Sequence, residues 1–168
     1  QLLSDAYWGD LDFLLLDLPP GTGDIAISLG QLIPASEIIV VTTPQVAAAE
    51  VAERAGRIAH QLKQHLIGVI ENMSSYFDSE LNREISLFGS GGGEETAQRL
   101  STLVGAEVPL VGKIPFDSEL RVGGDSGEPI VWSHPNSRAT QEFFSIVDSL
   151  APRKKSLLGV PLSVSPTV

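Results

Sequence analysis

A chain of 168 residues, 42% apolar and 19% charged, carries enough material for one globular domain with a sizeable core. Its formal net charge of −10 argues against a nucleic-acid binder held by phosphate contacts, since no basic stripe offsets it, although backbone N–H groups can still hold a phosphate locally. Cysteine is absent, so disulfides, zinc–thiolate sites and thiolate-ligated clusters cannot form within the chain.

The chain opens on Gln1, and Leu2–Trp8 reads as the tail of a helix, which predicts a fragment whose upstream part is missing. No charged-then-apolar leader is visible, and no apolar run approaches the roughly 20 residues of a membrane helix, so the default location is cytoplasmic. Phe13–Asp17 is a continuous apolar run closed by an acid and predicts a strand buried on both faces. Asp24–Ile33 predicts a short helix with Asp24 as its N-cap. Ile38–Thr43 predicts a second strand, and Pro44–Leu62 a long helix with an Ala-rich face and Pro in its first turn. Leu66–Ile70 predicts a third strand. Ser74–Gly93 is polar, aperiodic and Gly-rich at its end, which predicts a long functional or mobile loop. Helices follow at Glu94–Val104 and Ser137–Leu150, with a fourth strand at Val108–Ile114. The alternation predicts an α/β, doubly wound and mostly parallel sheet over residues 1–150, followed by a poorly ordered tail at 151–168.

The chemistry concentrates in "FLLLDLPPGTGD", Phe13–Asp24. Asp17 stands at the carboxyl end of the predicted strand, where open α/β sheets bind ligands. A carboxylate there suits Mg²⁺ held through water. Pro19 and Pro20 stiffen the following turn, and Gly21 and Gly23 let backbone N–H groups approach a ligand closely. An isolated D-x-P is more often a capped strand end, but the whole stretch behind an apolar run favours a site sensing a terminal phosphate.

"DFLLLDLPPGTGD" resembles the Walker B and switch II segment of the Mrp/ApbC family of iron–sulfur cluster carrier P-loop ATPases, relatives of MinD in the SIMIBI class. "VVTTPQ" (Val40–Gln45), "GVIENMS" (Gly68–Ser74), "LFGSGGGEETA" (Leu87–Ala97) and "VPLVGKIPFDSELRVGGDSGEPIV" (Val108–Val131) resemble later family blocks in the same order, over roughly residues 5 to 150. The resemblance implies an ATPase with ATP and Mg²⁺ as cofactors. It places Asp17 near Mg²⁺ and Gly21 near the γ-phosphate as the catalytic pair. It places Asn72 on the adenine, with Pro115 and Asp117 flanking the base. Standing alone, Asn72 would read as a turn-initiating residue and Pro115–Asp117 as a helix entry. The resemblance further implies a homodimer, with Ser74–Gly93 as candidate contact, a [4Fe–4S] cluster and iron–sulfur apo-protein clients, without nucleic acid or membrane.

Two departures qualify it. No G-x-x-x-x-G-K-[ST] phosphate loop is present, and Gly89–Glu95 lacks the Lys and carries acids, so the fold is expected to be truncated at its N-terminus and the fragment alone inactive. The family's C-x-x-C position reads "SYFDSELNREISLFG", whose Asp78, Glu80 and Glu84 offer only hard carboxylates to a soft cluster. His60, His65 and His134 share no metal-ligand spacing, and Trp8 and Trp132 read as packing residues. The alternative is a non-catalytic partner-binding adaptor with the same fold. A membrane-positioning ATPase ranks last, because Arg153–Lys155 is followed by a Pro-containing stretch rather than an amphipathic helix.

Overall fold

The structure, a computed structural model, describes residues 5–19 and 24–150. In chain order its elements are α1 (Asp24–Leu32), β1 (Glu37–Thr42), α2 (Val46–Gln61), β2 (His65–Asp78), β3 (Arg83–Ile85), α3 (Gly92–Val104), β4 (Leu110–Phe116), α4 (Ser118–Ser126), α5 (Ile130–Ser133) and α6 (Arg138–Leu150).

β2 is the central strand. It pairs in parallel with β1, from Glu37 opposite His65 to Thr42 opposite Glu71, and in parallel with β4 on its other side. The crossovers β1–α2–β2 and β2–α3–β4 step in the same direction, so one handedness puts both helices on one face. There Val40, Ala52, Leu66, Val69 and Leu100 form one core. Successive residues of a strand face opposite sides. Ile70 accordingly turns from Val69 to the other face, where Ile114, Ile130, Ala139 and Ile146 form a second core under α4, α5 and α6. The result is three layers, α/β/α.

Four expectations change. Phe13–Asp17 is not a strand: it is irregular and exposed, with Phe13 67% and Leu15 86% accessible. A run apolar on both faces needs a ladder neighbour and covering helices, and none pairs with it among the described residues. Ser74–Gly93 is not a loop throughout. β2 runs on to Asp78 and turns back antiparallel through β3, with Tyr76 opposite Ile85 and Asp78 opposite Arg83. Pro44 precedes the helix rather than opening it, and Gln45 is the N-cap of α2. Trp132 does not pack: it is 78% exposed on α5, while Ile130 of the same turn is buried. The expected tail 151–168 and the turn residues Pro20–Gly23 lie outside the described residues.

Candidate functional site

Parallel strands β2 and β4 run side by side until their register breaks. Asn72 faces Ile114, and the next pair is Tyr76 with Phe116, so three residues of β2 oppose one of β4. The odd residue on β4 is Pro115, which has no N–H to give to the ladder. On β2 the irregularity includes Met73 at φ 56°, a left-handed conformation that a side chain disfavours. Met73 donates its backbone N–H to Asn72 Oδ1 at 2.9 Å. Asn72 Nδ2 has no hydrogen-bond partner among the described residues and is left as a donor. Asp117 follows immediately as the N-cap of α4, its Oδ1 accepting from Glu119 N at 2.9 Å. Pro115 and Asp117 therefore stand at the carboxyl end of β4, beside the irregularity that carries Asn72 within β2, and the carboxyl ends of parallel strands are where such sheets hold ligands.

A second cluster underlies the first. Glu71 points away from Asn72 into the α3 side and is 2% exposed. Its Oε2 accepts from Gly93 N at 2.6 Å, capping α3 with a carboxylate from another element. An added Cβ at Gly93 would sit 2.9 Å from Glu71 Cβ, and one at Gly92 would overlap the backbone of Thr43 and Pro44, so both positions need glycine for close approach. Lys113 lies opposite Glu71 in the ladder, with Nζ 3.9 Å from Oε1, and reaches Glu94 at 2.5 Å. The hydrogen bond from Lys113 holds the Glu94 carboxyl below its ordinary value, and the same bond holds the Lys113 ammonium above its own. Sequence reasoning missed this cluster; its signal was an acid inside the apolar "GVIENM" and a Lys inside "LVGKIPF". Because Glu71 takes the Gly93 N–H, and Glu94 and Glu95 occupy the first turn, the Gly89–Glu95 segment does not offer that donor to a phosphate.

The remaining candidates are placed differently. Asp17 is exposed in the irregular segment and takes no part in the β2–β4 pairing, and Gly21 lies outside the described residues. Two of the three hairpin carboxylates are engaged: Asp78 Oδ1 accepts from Glu80 N and Leu81 N, each at 3.0 Å, and Glu84 pairs with Arg138 at 3.0 Å. Hard oxygen donors do not fit a soft iron–sulfur cluster. Among the described residues no group of three or more His, Cys, Asp or Glu could hold a metal ion. His65 lies 3.7 Å from Glu37 and His134 3.9 Å from Glu119, separate exposed pairs. No helix among the described residues is long and apolar enough to cross a membrane.

Parallel strands flanked by helices on both faces define the chain's class as a MinD-like P-loop NTPase fold. A solved nucleotide-binding protein of Archaeoglobus fulgidus in complex with ADP superposes with a TM-score of 0.62 at 34% identity, covering 82% of this chain and 52% of that one. The septum site-determining protein MinD of Pyrococcus horikoshii, complexed with Mg-ADP, shares the fold at a TM-score of 0.61 and 24% identity, covering 94% and 56%. The family model ParA, described as NUBPL iron-transfer P-loop NTPase, matches residues 1–151, and the chain belongs to that family. Iron-sulfur cluster carrier proteins of Mycobacterium bovis and of Synechocystis are 56% and 40% identical over 99% and 90% of this chain. The chain spans 44% and 41% of the length of those two relatives.

Proposed function

We propose that this chain is the base-holding, C-terminal portion of an ATP-hydrolysing iron–sulfur cluster carrier. The observation that carries the reading is the Asn72 amide, whose Nδ2 has no partner among the described residues, at the break in register between β2 and β4 that holds Pro115 and leads into Asp117. An amide N–H₂ donates to a ring nitrogen of a purine, and Pro115 supplies an apolar wall against the base. Asp117 fixes the entry of α4, and its carboxylate edge is an acceptor for the exocyclic amine of adenine. Asp17 is assigned to Mg²⁺ and Gly21 to the γ-phosphate in the assembled protein. There a carboxylate and phosphate oxygens are the donors this ion prefers, and the ion would supply charge neutralisation at the transferring phosphate.

The cluster is cargo, and its ligands come from outside this chain, which has no cysteine. The reading includes a homodimer that delivers to apo-protein clients, with the hairpin of β2 and β3 as its contact. Leu81, Leu87 and Phe88 are exposed along that segment. The test uses the full-length polypeptide with Mg-ATP. Asn72→Ala is expected to weaken ATP binding about tenfold, as loss of a hydrogen bond to a desolvated base does, and to blunt discrimination between ATP and GTP. Equal affinities for both nucleotides in wild type and variant would remove Asn72 from the base site. Absence of any hydrolysis by the wild type would leave the fold as an adaptor.

A further inference from the structure

α4, α5 and α6 leave an open apolar groove of about 580 Å³ on the side of the molecule away from α2 and α3. Its walls are Leu120, Ile130, Val131, Phe143, Phe144 and Val147. Phe144 and Val147 remain 51% and 59% exposed. At Gly124 and Gly127, which also line it, an added Cβ would meet nothing within 4 Å, so an extended backbone can lie close against that wall. Nothing among the described residues fills this surface.

We infer that the groove is the intramolecular docking site of the chain's own segment Leu157–Val164, "LLGVPLSV". Four observations select this occupant. The segment is apolar at Leu157, Leu158, Val160, Leu162 and Val164, and it contains Pro161, a residue type that disfavours a continuous helix. It follows α6 directly: Leu157 lies seven residues beyond Leu150, a tether of up to about 23 Å when extended, while Val147 in the last turn of α6 already lines the groove. The tether carries Arg153, Lys154 and Lys155, and the groove rim carries the exposed acids Glu128 and Asp148, each next to a lining residue. Finally, the family model stops at residue 151, whereas the match to the Mycobacterium bovis relative takes in 99% of the chain. The segment thus lies in a stretch that the match to this relative takes in and the family model does not, and Val147 carries the groove to the last turn of α6, from which the chain departs.

The test is disulfide trapping in the full-length polypeptide, with peptide mapping to locate the link. Phe144→Cys is paired in turn with Leu158→Cys, Val160→Cys and Leu162→Cys. The same tail positions are paired with Glu50→Cys, exposed on α2 across the sheet, as control. At least one groove pair is expected to close within one chain about tenfold faster than its control, because docking raises the local concentration of the tail thiol. Should Phe144→Cys fail to fold, Val147→Cys takes its place. A second readout needs no cysteine: Val147→Glu is expected to raise tryptic cleavage after Lys155 about tenfold, by releasing the segment from protection. Equal closure at groove and control, or links only between two copies, or tryptic rates unchanged in Val147→Glu, would overturn the assignment.

Discussion

Replacing Glu71 by Gln tests whether a buried charge anchors α3 to the sheet. The wild-type carboxylate is 2% exposed, accepts from Gly93 N at 2.6 Å and has Lys113 Nζ at 3.9 Å. A charged acceptor is worth about 1 kcal/mol more than a neutral one. A negative charge at a partly buried helix N-terminus adds up to about 2 kcal/mol, and the pairing with half-exposed Lys113 about 0.5–1 kcal/mol. Against this gross loss of about 4 kcal/mol, the amide escapes part of the cost of burying a charge, about 2 kcal/mol. The net is a destabilisation of about 2 kcal/mol, which corresponds to roughly 30-fold. The assay is native-state hydrogen exchange of the α3 amides, Gly92–Val104, in the full-length polypeptide, where protection is expected to fall by about that factor. Glu71→Ala also strands the Gly93 N–H and opens a cavity, so it is expected to cost about 3–4 kcal/mol. Exchange within about threefold of wild type in Glu71→Gln would show that shape, not charge, holds the helix.

In the full-length protein, Asp17→Ala is expected to reduce ATP turnover by about tenfold or more, and an unchanged kcat would take Asp17 out of the metal site. Gly92→Ala forces a Cβ into the backbone of Thr43 and Pro44 and is expected to cost about 1–3 kcal/mol, which denaturation curves of wild type and variant check. Thr42 Oγ1 is buried without a hydrogen-bond partner among the described residues, so Thr42→Val is expected to raise the unfolding midpoint, by about 1 kcal/mol in stability. The Glu94–Lys113 pair gives a pH signature. The depressed Glu94 carboxyl contributes stability above its ordinary value of 4.5, which is lost as pH falls through the lowered one. The raised Lys113 contributes stability below 10.5, which is lost as pH rises through the higher one. The stability gap between wild type and Lys113→Met should therefore be widest between those limits and narrow outside them.

The sheet was legible wherever apolar runs were both β-branched and paired. β1 and the start of β2 lie within a residue of the runs that announced them, because burial on both faces leaves a continuous signature. Phe13–Asp17 shows the limit: the same signature, without a ladder partner among the described residues, yields no strand. The outer half of β2 was hidden because Ser74–Asp78 is polar and only partly buried, and it is held by the three residues of β3 and, at Tyr76 alone, by Phe116 of β4. α4 was hidden by the two glycines at Gly123 and Gly124, which weaken any helical reading. At the site, the resemblance named Asn72, Pro115 and Asp117, and register brought them together. Glu71 carried no motif, since its role depends on α3 arriving from 22 residues away.

β2 is one strand of 14 residues that reaches from the centre of the sheet to the tip of the hairpin, roughly 45 Å at a strand's usual rise. Arg138 clamps its outer part by lying 3.6 Å over the Phe77 ring while gripping Glu84 on the returning strand. Between that clamp and the Asn72–Ile114 pair, the strand leaves its regular register at Met73, directly beside Asn72. Force applied at the tip by a docking protein is thus transmitted along a stiff beam to a fulcrum, and the first side chain to swing is the one assigned to the purine.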